Sequence, residues 1–297
     1  MITEVCGGPL PLDIRQDGTE SLSQSSQGLR APKPVALIGL GFDDLDEQQL
    51  VDHIFAHLAH GSGGWMVNPN IDVLRQVAAD GSVRALVSEA DLVVADGMPL
   101  IWASRLRGPA LRARVPVSEA IYALCARAAR DGVAVFLLGG APEAAARASH
   151  LLAERNTGLV VNYLSPPMGF ENNQEEMSKI FSAIERDAAR GIVFCAFGFP
   201  KQERLMALLH SRFPSCWLIG AGGTFTIIAG ETPKAPEWMR RSGLEWAHRL
   251  RLEPARLWHR YVVDDAPFAL RLLGSSAWAR VRHGPDVRNH LSKEESS

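Results

Sequence analysis

Seven short apolar runs, VALIG, WMVN, DLVVAD, VAVFLLGG, LVVNYL, IVFCAFG and CWLIGAGG, are spread along the chain from residue 34, with helix-period sequence between most of them. This alternation limits the fold more than any other feature. Runs that are apolar at every position, rather than at every second one, suit strands covered on both faces. The amphipathic segments fall at 46–60, 70–88, 98–107, 118–131, 142–155, 173–190 and 201–212, so strand and helix follow one another repeatedly. That order predicts an α/β fold: a mostly parallel, doubly wound sheet with helices on both faces.

The two ends differ from this middle. Residues 1–31 are rich in Ser, Gln and Gly and lack apolar periodicity, so they are read as a flexible tail. Residues 32–233 form the expected α/β core. Residues 234–297 carry no strand pattern and are expected to be an appendage of successive short helices with a break at Pro254. The formal charge of -2 removes a whole-chain case for nucleic-acid binding. Cys6, Cys125, Cys195 and Cys216 form no C-x-x-C pair, which indicates neither a zinc site nor a disulfide framework. Glu4, Asp13 and Asp17 do not suit a secretory signal. The longest uncharged stretch, Phe213 to Gly230, is interrupted by Pro214, Gly220, Gly222 and Gly223, so no spanning helix is expected. The expected location is cytoplasmic.

In an open parallel sheet, ligands bind beyond the carboxyl ends of the strands, where loops and helix amino termini present free N–H groups. The loops at those ends are Asn68-Pro69-Asn70, Asp96-Gly97, Gly139-Gly140, Ser165-Pro166-Pro167, Gly198 to Glu203, and Gly220 to Gly223. Glycine after a strand can cradle a diphosphate, and it is also ordinary turn chemistry. The dinucleotide signature is absent, because Asp44 stands where the third glycine after Gly39 and Gly41 is required. A nicotinamide-dependent oxidoreductase is thereby disfavoured.

Asp96 ends the third apolar run, just before a helix expected from Met98. It is either a helix cap or a general base positioned at the sheet edge. Asp44 and Asp46 resemble a metal-binding carboxylate pair but are read as capping the next helix, and Asp264-Asp265 reads as a solvated turn. No His, Asp or Glu cluster has metal-ligand spacing, so a site with no metal and no cofactor is expected. Arg114 suits a two-pronged phosphate clamp or a surface position. Lys201 and Gln202 open a helix whose amino terminus favours an anion, and both also suit an ordinary first turn.

Between Arg240 and Arg260 lie six arginines, two histidines and two glutamates, interleaved with Trp246 and Trp258 and flanked by Trp238 and Tyr261. Arginine mixed with tryptophan on short amphipathic helices suits an anionic membrane interface. The alternative is a solvated arginine face with tryptophan packed on the core. A homo-oligomer contact is the other partner these helices allow.

Taken in order, VNPNIDVLRQ, EADLVVADGMPLIWASRLRG, RVPVSEAI, VFLLGGAPEAA, PPMGFE, FGFPKQE, GAGGTFTIIAG, KAPEWM and GLEWAHRLRLEPARLWHRY resemble the WecG/TagA/CpsF glycosyltransferases over roughly residues 34 to 262. The resemblance implies a Rossmann-related fold and inverting transfer from a UDP-sugar to an undecaprenyl-diphosphate-linked sugar, in exopolysaccharide or cell-envelope assembly. It also implies peripheral attachment to the inner face of the membrane through the appendage.

By the same resemblance the catalytic aspartate falls on Asp96, a pocket asparagine on Asn70, the phosphate-facing arginine on Arg114 and the P-x-Q-E glutamine on Gln202. Appendage arginines fall among Arg249, Arg256 and Arg260. Asn68, Gly139, Gly140, Gly198, Lys201, Gly222 and Gly223 complete the expected donor and diphosphate site. The chain departs from the family pattern at Asn68, at Glu119 in RVPVSE and at Thr226, all around the donor pocket. These departures leave a second reading, a nucleotide-sugar-binding protein without catalysis.

Overall fold

The computed structural model describes residues 34–108 and 110–283, so the expected tail and Cys6 lie outside the described residues. Val35–Leu37 (β1) and Leu40–Phe42 (β2) form an antiparallel hairpin with Leu37 opposite Leu40. The run VALIG is therefore not a strand of the main sheet, which corrects the expectation. Its Gly39 belongs to a turn whose central residues, Ile38 and Gly39, have φ of 49° and 76°. Positive φ at both central positions gives a backbone twist that matches the strands it joins.

The remaining strands are Gly64–Val67 (β3), Leu92–Val93 (β4), Val135–Gly139 (β5), Val161–Leu164 (β6), Ile192–Ala196 (β7) and Trp217–Gly220 (β8). They form one six-stranded sheet in the order β4-β3-β8-β7-β5-β6, and every pair is parallel. This order sets the carboxyl ends of β4, β3 and β8 side by side. Asp96, Asn68 and the loop after Gly220 are thus neighbours on one rim, while Ser165 follows the far edge strand.

Helices Glu47–Ala59 (α1), Ile71–Ala79 (α2), Gly81–Ser88 (α3), Met98–Arg107 (α4), Val117–Asp131 (α5), Pro142–Arg155 (α6), Gln174–Asp187 (α7), Lys201–Arg212 (α8) and Thr224–Ile228 (α9) cover the sheet. Alternate strand residues feed two apolar layers. Trp65, Val67, Phe136, Leu138, Val193 and Leu218 face one side with Leu74, Leu100, Ile184 and Leu209. Met66, Val135, Leu137, Phe194, Trp217 and Ile219 face the other with Ile54, Leu124, Leu152 and Phe225. Full burial of a side chain such as Phe136 contributes about 1.5–3 kcal/mol.

Helix starts are written locally. Asp46 accepts from the Gln49 amide at 2.8 Å while the Gln49 side chain accepts from the Asp46 amide, a reciprocal cap for α1. The segment 70–88 is two helices, because Asp80 ends α2 and caps α3 by accepting from Ser82 and Val83.

Beyond β8 the described chain is helical: Glu237–Arg241 (α10), Glu245–Leu252 (α11), Pro254–Trp258 (α12), a π-helical turn at His259–Asp265, and Ala266–His283 (α13). The last is longer than the short helices expected. It packs along α4 and sends Leu272 into the core. Asp265 is not in a solvated turn. It is buried and accepts from Arg75 Nε at 3.2 Å, and Arg260 reaches Asp72 at 2.9 Å, so this ionic group ties the π-helical turn to α2. Among the described residues no helix is long and apolar enough to cross a membrane.

Candidate active site

The chain leaves β4 through Val94 and Ala95 and turns at Asp96, whose amide donates to the Pro69 carbonyl at 3.0 Å. This bond joins the β4 loop to the β3 loop and brings Asn68 Nδ2 to 3.5 Å from Asp96 Oδ2. Helix α4 begins after Gly97 with no side-chain cap, so the Asp96 carboxylate is not its cap. The carboxylate is partly buried and its pKa is pushed up to about 6. Burial is the main cause. Glu245 adds to the rise, Arg114 and Arg249 oppose it, and Glu119 contributes a smaller push upward. A carboxylate that ionises near pH 6 combines the charged state at neutral pH with useful basicity.

Around Asp96 runs a chain of alternating charges. Arg114, in the loop before α5, lies 3.2 Å from Glu119 and 3.6 Å from Glu245. Glu119 also receives Arg240 at 2.7 Å, and Glu245 receives Arg249 at 3.0 Å. The core supplies Arg114 and Glu119, and the C-terminal helices supply Arg240, Glu245 and Arg249. A cleft beside the chain is lined by Ser118, Glu119, Thr232, Arg240, Glu245 and Arg249.

Arg240 and Glu245 are not among the residues the sequence singles out for the site, and Glu119 stands there only as a departure from the family pattern beside the donor pocket. The signal in sequence was the spacing of Glu245 and Arg249, four apart on one helix face. Nothing in the spacing announced the contact of Glu119 with Arg240.

The other expected residues divide between floor and periphery. Gln202 is only 4% exposed. Its Oε1 accepts from the Phe197 amide at 3.4 Å and the Gly222 amide at 3.2 Å, while its Nε2 donates to Glu203 at 3.0 Å. It clamps the loops after β7 and β8 from beneath. Gly220 makes room for it, since a Cβ there would stand 2.3 Å from Gln202 Nε2 and 3.4 Å from Asn68 Oδ1. Gly139, at φ +93°, is required by close approach, because a Cβ would meet the Phe197 ring at 2.7 Å. Gly140 and Gly198 follow β5 and β7 on the same rim, and Gly222 and Gly223 are exposed after β8.

Asn70 caps α2 by accepting from the Val73 amide at 3.1 Å. Lys201 turns toward the far edge, 2.7 Å from Glu171 and over the Phe170 ring. Arg256 pairs with Glu253, and Arg260 pairs with Asp72 and Asp265. Of the three expected appendage arginines, Arg249 pairs with Glu245 and opposes the pKa rise at Asp96, while the other two are tied elsewhere.

The C-terminal helices expose Trp238, Trp246, Trp258 and Trp278, each to 45% or more, together with Leu270 and Val281. These indoles are not packed on the core. Among the described residues no three His, Cys, Asp or Glu side chains converge so as to hold a metal ion. The family model for the glycosyl transferase WecG/TagA/CpsF family matches residues 35–282, which takes in the sheet, the Asp96 rim and the helices that deliver Arg249. This chain belongs to the WecG/TagA/CpsF glycosyl transferase family.

Proposed function

We propose that this glycosyltransferase performs an inverting, metal-independent transfer from a UDP-sugar to a sugar linked to a polyprenyl diphosphate, at the cytoplasmic face of the membrane, in exopolysaccharide or cell-envelope polysaccharide synthesis. Asp96 takes the proton from the acceptor hydroxyl as its oxygen attacks the anomeric carbon. The bond from that carbon to the diphosphate breaks, and its electron pair leaves on UDP. A single displacement with one base inverts the anomeric centre. Arg114 and Arg249 offset the charge growing on the leaving diphosphate, the work a divalent ion does in other sites. Backbone amides at the glycine loops after β5, β7 and β8 are suited to hold the donor.

The observation that carries this reading is the position of Asp96. It is a carboxylate with a raised pKa at the carboxyl-terminal rim of the sheet, beside the Asn68 amide and within the field of the Arg114 and Arg249 guanidinium groups. Exposed tryptophans interleaved with arginines support attachment to an anionic lipid surface, which would bring the site to its lipid-linked acceptor. The test is a transfer assay that offers several UDP-sugars with short-chain polyprenyl-diphosphate-sugar acceptors, with and without chelator. Chelator-resistant product of inverted configuration supports the reading. UDP binding without product from any donor favours a binding protein.

A further inference from the structure

The two guanidinium groups that act on Asp96 are not free cations waiting for a phosphate. Arg114 and Arg249 share one carboxylate, Glu245, at 3.6 Å and 3.0 Å. That carboxylate arrives from α11, far along the chain from both Arg114 and Asp96. It reaches Arg249 by helical spacing, which holds the Arg249 side chain along the helix while leaving it 40% exposed. Arg114 is 15% exposed and is held from its other side by Glu119.

We propose that Glu245 is a positioning residue of the transfer site, holding Arg114 and Arg249 together on one carboxylate. This rests on the base role of Asp96. The charged groups facing Asp96 are Glu245 and Glu119, which disfavour its ionisation, and Arg114 and Arg249, which favour it. Asn68 is its neutral neighbour. Glu245 thus acts in two ways: it aligns the cations for the leaving group, and it keeps the base from becoming too weak beside them. Removing it leaves the arginines unopposed at Asp96, which makes the aspartate a stronger acid and so a poorer base.

The experiment is the pH dependence of kcat/KM for Glu245→Gln and Arg249→Gln in the full chain, with Glu185→Gln on the remote helix α7 as a charge-matched control. Glu245→Gln keeps the shape and an acceptor oxygen for Arg249. The acid limb is expected to move to lower pH by about half a unit or more in Glu245→Gln and to higher pH in Arg249→Gln, and to stay put in the control. A merely structural role would lower the melting temperature or kcat without displacing the limb. An unmoved limb in Glu245→Gln overturns the proposal, as does an unmoved limb in Arg249→Gln should Glu245→Gln not fold. The base reading fails separately: if Asp96→Asn keeps the full rate, that reading is wrong, whereas an inactive Asp96→Asn with an unmoved Glu245→Gln limb removes only the role of Glu245.

Discussion

Glu119 and Arg240 meet at 2.7 Å across 121 positions of sequence, and this contact fastens the C-terminal helices to the rim that carries Asp96. Glu119 holds Arg114 with the same carboxylate oxygen, so one side chain orders a core arginine and an arginine of α10 together.

Glu119→Ala should therefore separate stability from activity. All three side chains keep some access to water, and such pairs stabilise by about 1 kcal/mol or less. A thermal melt should show a small loss, while kcat/KM should fall by roughly tenfold or more as Arg114 and Arg240 lose their common anchor. Equal activity in the variant would mean that these arginines do not need Glu119.

Gly220→Ala tests the clamp beneath the site. The new Cβ would stand 2.3 Å from Gln202 Nε2. The glutamine could move only by giving up bonds to Phe197, Gly222 and Glu203. The expected cost is about 1–3 kcal/mol by urea unfolding, with a weaker apparent affinity for the donor. A variant as stable as the parent would show the clamp to be slack.

Glu203 makes stability depend on pH. Burial pushes its pKa from 4.5 up to about 7. Because the folded value is the higher one, its stabilising effect is full below the unfolded pKa and is lost as pH rises through about 7. The shift corresponds to roughly 3 kcal/mol. Urea unfolding of the parent should show stability declining between about pH 4.5 and pH 7, and Glu203→Gln should flatten the decline. Parallel curves for the two proteins would contradict it.

His53 and His57, with rings 4.5 Å apart, act in the opposite direction. Burial holds both below the usual 6.5, with His57 adding to the lowering at His53 and His60 to that at His57. Their depressed pKa means stability that is present above 6.5 and lost as pH falls through the folded values. His53→Gln should lessen the fall in melting temperature between pH 7 and pH 5, and an unchanged fall would show that the pair is not responsible.

Much of the sheet and its helices was legible because the signals are local. Caps such as Asp46 with Gln49, and apolar runs such as IVFCA, carry their structure within a few residues. The hairpin is not legible because Ile38 occupies a positive-φ turn position where Asn, Asp or Gly is the usual signal, so VALIG reads as one more apolar strand of the main sheet. Asp264-Asp265 looked solvated because nothing adjacent reveals that Arg75 and Arg260 converge on Asp265. The same limit hides Arg240, Glu245 and the pairing of Glu119 with Arg114 and Arg240. Asp96 could be singled out because a carboxylate ending an apolar run must stand at the sheet edge, but its charged neighbours come from elements assembled only by folding.

The most direct measurement is the single-turnover transfer rate of Asp96→Asn beside the pH profile of the parent enzyme. A base that ionises near pH 6 predicts a parent kcat/KM that drops as pH falls below that value. It also predicts a loss of about 100-fold or more in the asparagine variant, with UDP binding retained. Transfer at the parent rate by Asp96→Asn would contradict the assignment of this carboxylate as the base.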